Sequence, residues 1–335
     1  MRENTQNRVT RRHYVSSLFG ASLMAFGGRG WAQATTSVSD ELWTDPLRKR
    51  DLPIKVRWPD DALHKGEYAV VLFSHGLGGT REGGAIWGEA WAQAGFVVVH
   101  LQHPGSDFAA VRSVASSFSD RSGLRSAASP AQLVARLGDV GFVLDEIIRL
   151  HKAQQGRWSS VRPTRVGLSG HSFGAHTTLG MAGQRYPGFD GVAEPRLASF
   201  IAFSPTSPIG GDAQRAFERL TRPVLSVTGT RDQDVLGTGA TPENRIRVFA
   251  ALPKGDKGHL VLQDADHMTF AGQTGQPAEI VPREQITRDL QPAHQALVAS
   301  VTTDWWRATL LEDTTARARL AAPVGLRSGD LWQTA

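Results

Sequence analysis

"RVGLSGHSFGAHTTLGMAG", Arg165 to Gly183, decides how the chain is read. Gly170, Ser172 and Gly174 form a G-x-S-x-G between a short apolar stretch and a run with helical spacing. In a strand–turn–helix, this pattern puts a serine on a sharp turn with exposed Oγ, and the flanking glycines let strand and helix pass close by. The helix N-terminal amides then face the serine oxygen. Alone, the five residues are too short to establish a nucleophile, so the surrounding chain must supply the rest.

Alternation of strands and helices surrounds it. "LPIKVRW" (Leu52–Trp58) alternates apolar and polar residues as a half-buried strand does. "YAVVLFSHG" (Tyr68–Gly76) and "FVVVHLQHPG" (Phe96–Gly105) are continuous apolar runs, as in buried parallel strands. "GGAIWGEAWAQAG" between them has helical spacing. Asp107 to Ala128, rich in Ser, Gly and Arg, reads as a long surface loop. A helix opens at Pro130. "LASFIAFSP", "PVLSVTGTRD" and, as the last strand, "HLVLQDADH" follow Gly183. A long C-terminal helical pattern comes next, interrupted by Pro292. Alternation of this kind predicts an α/β fold, a mostly parallel, doubly wound sheet flanked by helices. No linker or repeat divides the chain, so residues 35–335 read as a single domain.

The remaining parts of a serine hydrolase are sought at strand ends, because nucleophilic acyl transfer needs a base, an orienting acid and oxyanion donors. "FSHGLGG" (Phe73–Gly79) ends an early strand, and its glycines free backbone amides for a ligand. The Leu77 and Phe173 N–H groups are the candidate oxyanion donors. His75 reads as a packing residue. Asp232 in "SVTGTRDQD" is the candidate acid, with Asp234 as the alternative. His267, after the last strand, is the candidate base, ahead of His259 and His294. The order Ser172, Asp232, His267 is the one that a nucleophile elbow requires. His103, at a strand's C-terminal end, is a candidate pocket wall. The pairs His100/His103 and His171/His176 lack the spacing of a helical zinc pair, and no cofactor or metal is expected.

Composition narrows the classes further. The formal charge is +5, but five arginines against one acid give the first 34 residues +4 of it. The rest is near neutral, so no nucleic-acid stripe is expected. Without cysteine, thiolate nucleophiles and disulfides are excluded. No apolar run is long enough to span a membrane. Arg11-Arg12, a diluted apolar run from Val15 to Phe26 and Ala32-Gln33-Ala34 have the three-part layout of a signal peptide. Residues 1–34 are therefore read as a twin-arginine-type leader, with export to the periplasm or medium as the expectation.

The blocks "FSHGLGGTREGG", "VVHLQHPGSD", "GHSFGAHTT", "TGTRDQD" and "ADHMTF" together resemble the α/β-hydrolase superfamily. They are similar in particular to bacterial predicted dienelactone hydrolases and to platelet-activating-factor acetylhydrolase-like esterases. The resemblance runs from about Leu52 to Leu311. It implies a serine esterase with Leu77 and Phe173 amides in the oxyanion hole and no cofactor. Dienelactone enzymes use a cysteine, which this chain lacks, so their substrate does not carry over. Some acetylhydrolase-like relatives place the acid after the earlier strand; "AFSPTSP" has none, which leaves Asp232. Too few residues follow that strand for a large cap, so small-molecule esters with short or moderately bulky acyl groups are expected. Other chemistry of the superfamily (acyl transfer, amide or polyester cleavage) and a non-catalytic binding role are the alternatives.

Overall fold

The computed structural model describes residues 36–115, 120–234, 239–273 and 283–335. The leader read at residues 1–34 lies outside them. In chain order the strands are β1 (Ser37–Asp45), β2 (Arg50–Trp58), β3 (Tyr68–Ser74), β4 (Val97–Leu101), β5 (Val161–His171), β6 (Arg185–Tyr186), β7 (Phe189–Asp190), β8 (Leu197–Phe203), β9 (Val224–Arg231), β10 (Lys257–Asp266) and β11 (Leu331–Thr334). The helices are α1 (Ala85–Gln93), α2 (Phe108–Val114), α3 (Arg121–Ala127), α4 (Pro130–Lys152), α5 (Phe173–Ala182), α6 (Ala213–Phe217), α7 (Pro242–Ala251), α8 (Gln285–Leu310) and α9 (Thr314–Ala321).

Nine strands make one sheet in the order β1-β2-β4-β3-β5-β8-β9-β10-β11, and β6 and β7 form a separate small hairpin. The run from β4 to β10 is parallel. Antiparallel β1 and β2 extend one edge and β11 the other. Both faces are covered, and the strands show it residue by residue. Val70 and Leu72 of β3 pack with Leu137 and Val140 of α4 and Leu179 of α5. Val71 and Phe73, pointing the other way, pack with Trp87 and Trp91 of α1 and Val298 and Trp306 of α8. This is why the parallel strands read as unbroken apolar runs. Each fully buried side chain of this size contributes about 1.5–3 kcal/mol.

The topology also locates the site. The chain leaves β3 for β4 on one side and returns to β5 on the other, so the order reverses at β3. In open parallel sheets, ligands bind outside the carboxyl ends of the strands at such a reversal. The loops after β3 and β5 are "HGLGG" and the turn at Ser172.

Four expectations are corrected. Asp107 to Ala128 is not one loop: its described part holds α2 and α3. Asp107 accepts from the Ala110 N–H and Asp120 from the Gly123 N–H, and Val111, Leu124 and Ala127 bury against each other. Capping compensated for a composition that favours loops. Pro292 does not interrupt α8, which runs on through it. The β10 strand is not the last, because β11 adds an antiparallel edge beside it. His103 is fully buried and does not line the cavity at Ser172.

Buried histidines make the fold sensitive to acid. Burial first, with nearby cations for most of them, lowers His100 to about 3 and His103 and His259 to about 4; His75 and His171 go well below the usual value. Below about pH 6.5 the unfolded chain binds protons that the folded chain refuses. Stability is therefore full above that pH and is lost as pH falls toward the folded values. The urea midpoint is expected to be flat above pH 7 and to drop steadily from pH 6.5 to 4.5, each histidine adding up to about 1.4 kcal/mol per pH unit. A midpoint that stays level to pH 4.5 would contradict this.

Candidate active site

The turn at Ser172 is strained. Its φ of 56° and ψ of −114° are conformations that a side chain rarely adopts, and they persist only where the surroundings impose them. Here the surroundings are backbone. A Cβ on Gly174 would stand 1.9 Å from the Ser74 carbonyl oxygen, and one on Gly170 would stand 2.3 Å from that of Gly174. Only glycine fits either position, so the two outer letters of G-x-S-x-G have a steric cause. The Ser172 N–H donates to the Phe203 carbonyl at 3.0 Å, tying the turn to the end of β8. Phe173 is the first residue of α5, where an N–H has no acceptor in its own helix.

The "HGLGG" loop lies against this turn. A Cβ on Gly76 would come within 3.5 Å of the Ser172 Cβ. Leu77 is the next residue. His75 is buried, accepting at Nε2 from the His103 N–H (3.0 Å) and donating from Nδ1 to the Gly76 carbonyl (2.6 Å). It packs and anchors the loop, in agreement with its reading from sequence.

His267 begins the turn after β10, and its Nδ1 is 2.7 Å from Asp232 Oδ1. Asp232 is fully buried. Its other oxygen accepts from the Thr228 hydroxyl at 2.8 Å. The Arg245 Nε lies 3.0 Å from Oδ1. Burial alone would raise the Asp232 carboxyl; Arg245 and then His267 outweigh it and hold the group well below the usual carboxylate range. Asp234 instead accepts from the Gly239 N–H. His171 steadies His267: its Nε2 donates to the His267 carbonyl at 2.9 Å, and the two rings lie 4.6 Å apart. His259 is buried within β10 and stacks on Phe249, 5.2 Å between centroids. His294 is buried in α8.

Ser172, Phe173 and His267 line a cavity of about 270 Å³. Its other walls include Ala128, Pro130 and Leu133 at the start of α4, Tyr186, Pro187 and Phe189 from the small hairpin, and the polar His176, Thr206, Asp234 and Arg245. Burial, and then Arg245 and Arg136, lower His176 to about 4, so it is a neutral imidazole at physiological pH. Of the residues read from sequence, Ser172, Phe173 and His267 line this cavity, and Asp232 adjoins it through His267. Arg245 and His171 were missed as supports.

A second serine, histidine and aspartate lie together elsewhere. The Ser74 Oγ is 2.9 Å from His103 Nε2, and His103 Nδ1 is 2.9 Å from Asp139 Oδ2. All three side chains are fully buried, and Asp139 also pairs with Arg48 and Arg50. This set has no face to a substrate. It ties the end of β3 to α4.

The sheet order, the reversal at β3 and the strained serine turn after β5 decide the architecture. This is the α/β-hydrolase fold. Within it, the family model described as "Platelet-activating factor acetylhydrolase, isoform II" matches residues 46–124. The match includes β3 and the "HGLGG" loop but stops before Ser172, Asp232 and His267. No curated protein matches the chain. Among the described residues, no group of three or more His, Asp or Glu could hold a metal ion, and no helix is long and apolar enough to cross a membrane.

The steric claim on the turn is testable. Gly174→Ala is expected to cost more than about 3 kcal/mol, because backbone, not a movable side chain, opposes the added methyl. A urea melt within about 1 kcal/mol of wild type would refute the close crossing.

Proposed function

We propose that this protein is a serine carboxylic-ester hydrolase acting through an acyl-enzyme, with Ser172 as nucleophile, His267 as general base and Asp232 as the acid that orients it. The observation that carries the reading is the 2.7 Å contact between His267 Nδ1 and Asp232 Oδ1, on the wall of the cavity that Ser172 also lines. With Nδ1 held by Asp232, Nε2 is the nitrogen left to take the Ser172 proton. Asp232 fixes the tautomer and balances the charge on the imidazolium.

In the reaction, Ser172 Oγ attacks the ester carbonyl carbon as its proton passes to His267. The carbonyl oxygen becomes the oxyanion, bound by the Leu77 and Phe173 N–H groups. Collapse breaks the bond to the alcohol oxygen, which takes the proton from His267. A water then attacks the acyl-serine by the same route, giving the carboxylic acid and free Ser172. Each oxyanion donor contributes about 10²–10³ in rate.

Cavity size supports short or moderately bulky acyl groups. About 270 Å³ lies at the lower edge of the ~300–1,000 Å³ of small-molecule pockets. The acetylhydrolase named by the matched family agrees in acyl length. Leu133, Phe173 and Phe189 offer apolar contact to such a group.

Ser172→Ala is expected to lower turnover of p-nitrophenyl butyrate by at least about 10³-fold and to abolish labelling by a fluorophosphonate, with the fold intact. Asp232→Asn is expected to lower kcat by about 10⁴-fold, and Asp234→Asn by far less. Ser74→Ala, in the buried set, is expected to keep both activity and labelling. Full activity in Ser172→Ala, or labelling lost only in Ser74→Ala, would overturn the assignment.

A further inference from the structure

Arg136 interrupts the apolar stripe of α4, three residues after Leu133 and one before Leu137. Its side chain is completely buried. Among the described residues it makes no ion pair, because the nearby carboxylate of Asp139 is taken by Arg48, Arg50 and His103. Asp139 and Asp107 favour its charge from a distance, but a buried cation without a direct ion pair is costly unless its donors are well used. These are used on two adjoining loops, at His75–Gly76 and at Ser106. Nε donates to the Ser106 Oγ at 2.8 Å and Nη1 to the His75 carbonyl at 2.6 Å. Nη2 lies 3.4 Å from the carbonyls of Gly76 and Ser106. The guanidinium also covers the Phe173 ring, 4.3 Å from its centroid.

We propose that Arg136 is a positioning residue for both halves of the oxyanion hole, and that its charge stands behind the hole as a counter-ion for the transition state. This rests on the assignment of the Leu77 and Phe173 amides as oxyanion donors. A trans peptide sets its N–H opposite to its C=O, and no described peptide is cis. The Gly76 carbonyl faces Arg136 and the His75 ring, so the Leu77 N–H faces the other way. Likewise, the His75 carbonyl on Nη1 turns the Gly76 N–H away. Gly76 is the residue whose backbone lies against Ser172. At the other half, stacking on Phe173 fixes the first turn of α5, whose leading N–H is the second donor. Burial pulls Arg136 down to about 9, which leaves it cationic at neutral pH. The ground-state ester is neutral and the tetrahedral intermediate anionic, so this charge acts on the second and not the first. Binding that is stronger in the transition state raises kcat and leaves KM alone.

The test uses the full chain, with Arg136→Met, Arg136→Lys and Ser172→Ala. Each is measured for kcat and KM on p-nitrophenyl butyrate. Each is also measured for inhibition by a trifluoromethyl ketone, which forms a charged tetrahedral adduct on the serine, and by the matching methyl ketone. In Arg136→Met, kcat is expected to fall about 10²-fold with KM changed by less than about threefold. Trifluoromethyl ketone affinity is expected to fall in parallel and methyl ketone affinity to hold. Arg136→Lys, which keeps the charge but not the fork, is expected to recover part of both losses. A folded Arg136→Met with wild-type kcat overturns the inference. So does a fall in kcat that trifluoromethyl ketone affinity does not follow, which marks a purely structural role. If Arg136→Met does not fold, Arg136→Lys decides: a drop in kcat and analogue affinity of about tenfold or more supports the inference, and wild-type values for both overturn it. An active Ser172→Ala removes the hydrolase reading and this inference with it. An inactive Ser172→Ala beside wild-type Arg136 variants removes this inference alone.

Discussion

At the centre of the molecule, β3 and α5 cross with no room for a side chain between them. The Ser74 carbonyl oxygen occupies the place where a Cβ on Gly174 would go. The left-handed turn at Ser172 results from that crossing, since the chain must leave β5 and enter α5 within one residue. So does the contact between the "HGLGG" loop and the serine, because that loop begins directly after Ser74. The sheet supplies the rest of the constraint: β3 and β5 are hydrogen-bonded neighbours up to Ser74 and Gly170, and this brings their ends to one level. A serine that read as one residue between two glycines is the point where two backbone segments lock.

Around this crossing, the buried polar groups divide into two roles. Arg245 and His171 serve the Asp232–His267 pair. Arg136, His75 and the Ser74–His103–Asp139 set serve the loop after β3. The two His–Asp contacts, 2.7 Å at His267–Asp232 and 2.9 Å at His103–Asp139, are alike, and their settings are opposite. One faces a cavity with an apolar wall; the other is sealed between sheet and helix and anchored by arginines. A hydrogen-bonded His–Asp pair is therefore insufficient to identify a catalytic site. Access to a substrate separates the two, and access depends on what α4 and the small hairpin cover.

Much of the fold was legible because parallel strands buried on both faces leave unbroken apolar runs. Ser172, Asp232 and His267 were legible because chain order and strand ends constrain them. Other features were not. In the Asp107–Ala128 segment, two aspartate caps and three small buried contacts outweigh a Ser- and Gly-rich composition. Pro292 sits inside α8, where packing of the helix on the sheet outweighs the local break. The edge strands β1 and β11 are short or half-exposed, so their sequence carries little periodicity. Arg136 did leave a signal: a charged residue in phase with Leu133, Leu137 and Val140 on a buried helix face. Arg245 left none, because nothing in a polar helix marks the one residue that turns inward.

By itself, the sequence determined the α/β class, the strand order along the chain, the glycines at the turn and the candidate residues Ser172, Asp232 and His267. Local rules suffice for these, since periodicity, turn chemistry and spacing act over a few residues. Only the tertiary structure decided that Asp232 and not Asp234 reaches His267, that His103 and Ser74 are sealed from the cavity, and that two arginines lie beneath the site. Those outcomes depend on which side chains are taken out of water by segments distant in sequence. Burial sets the cost of each charge and the partner each must find.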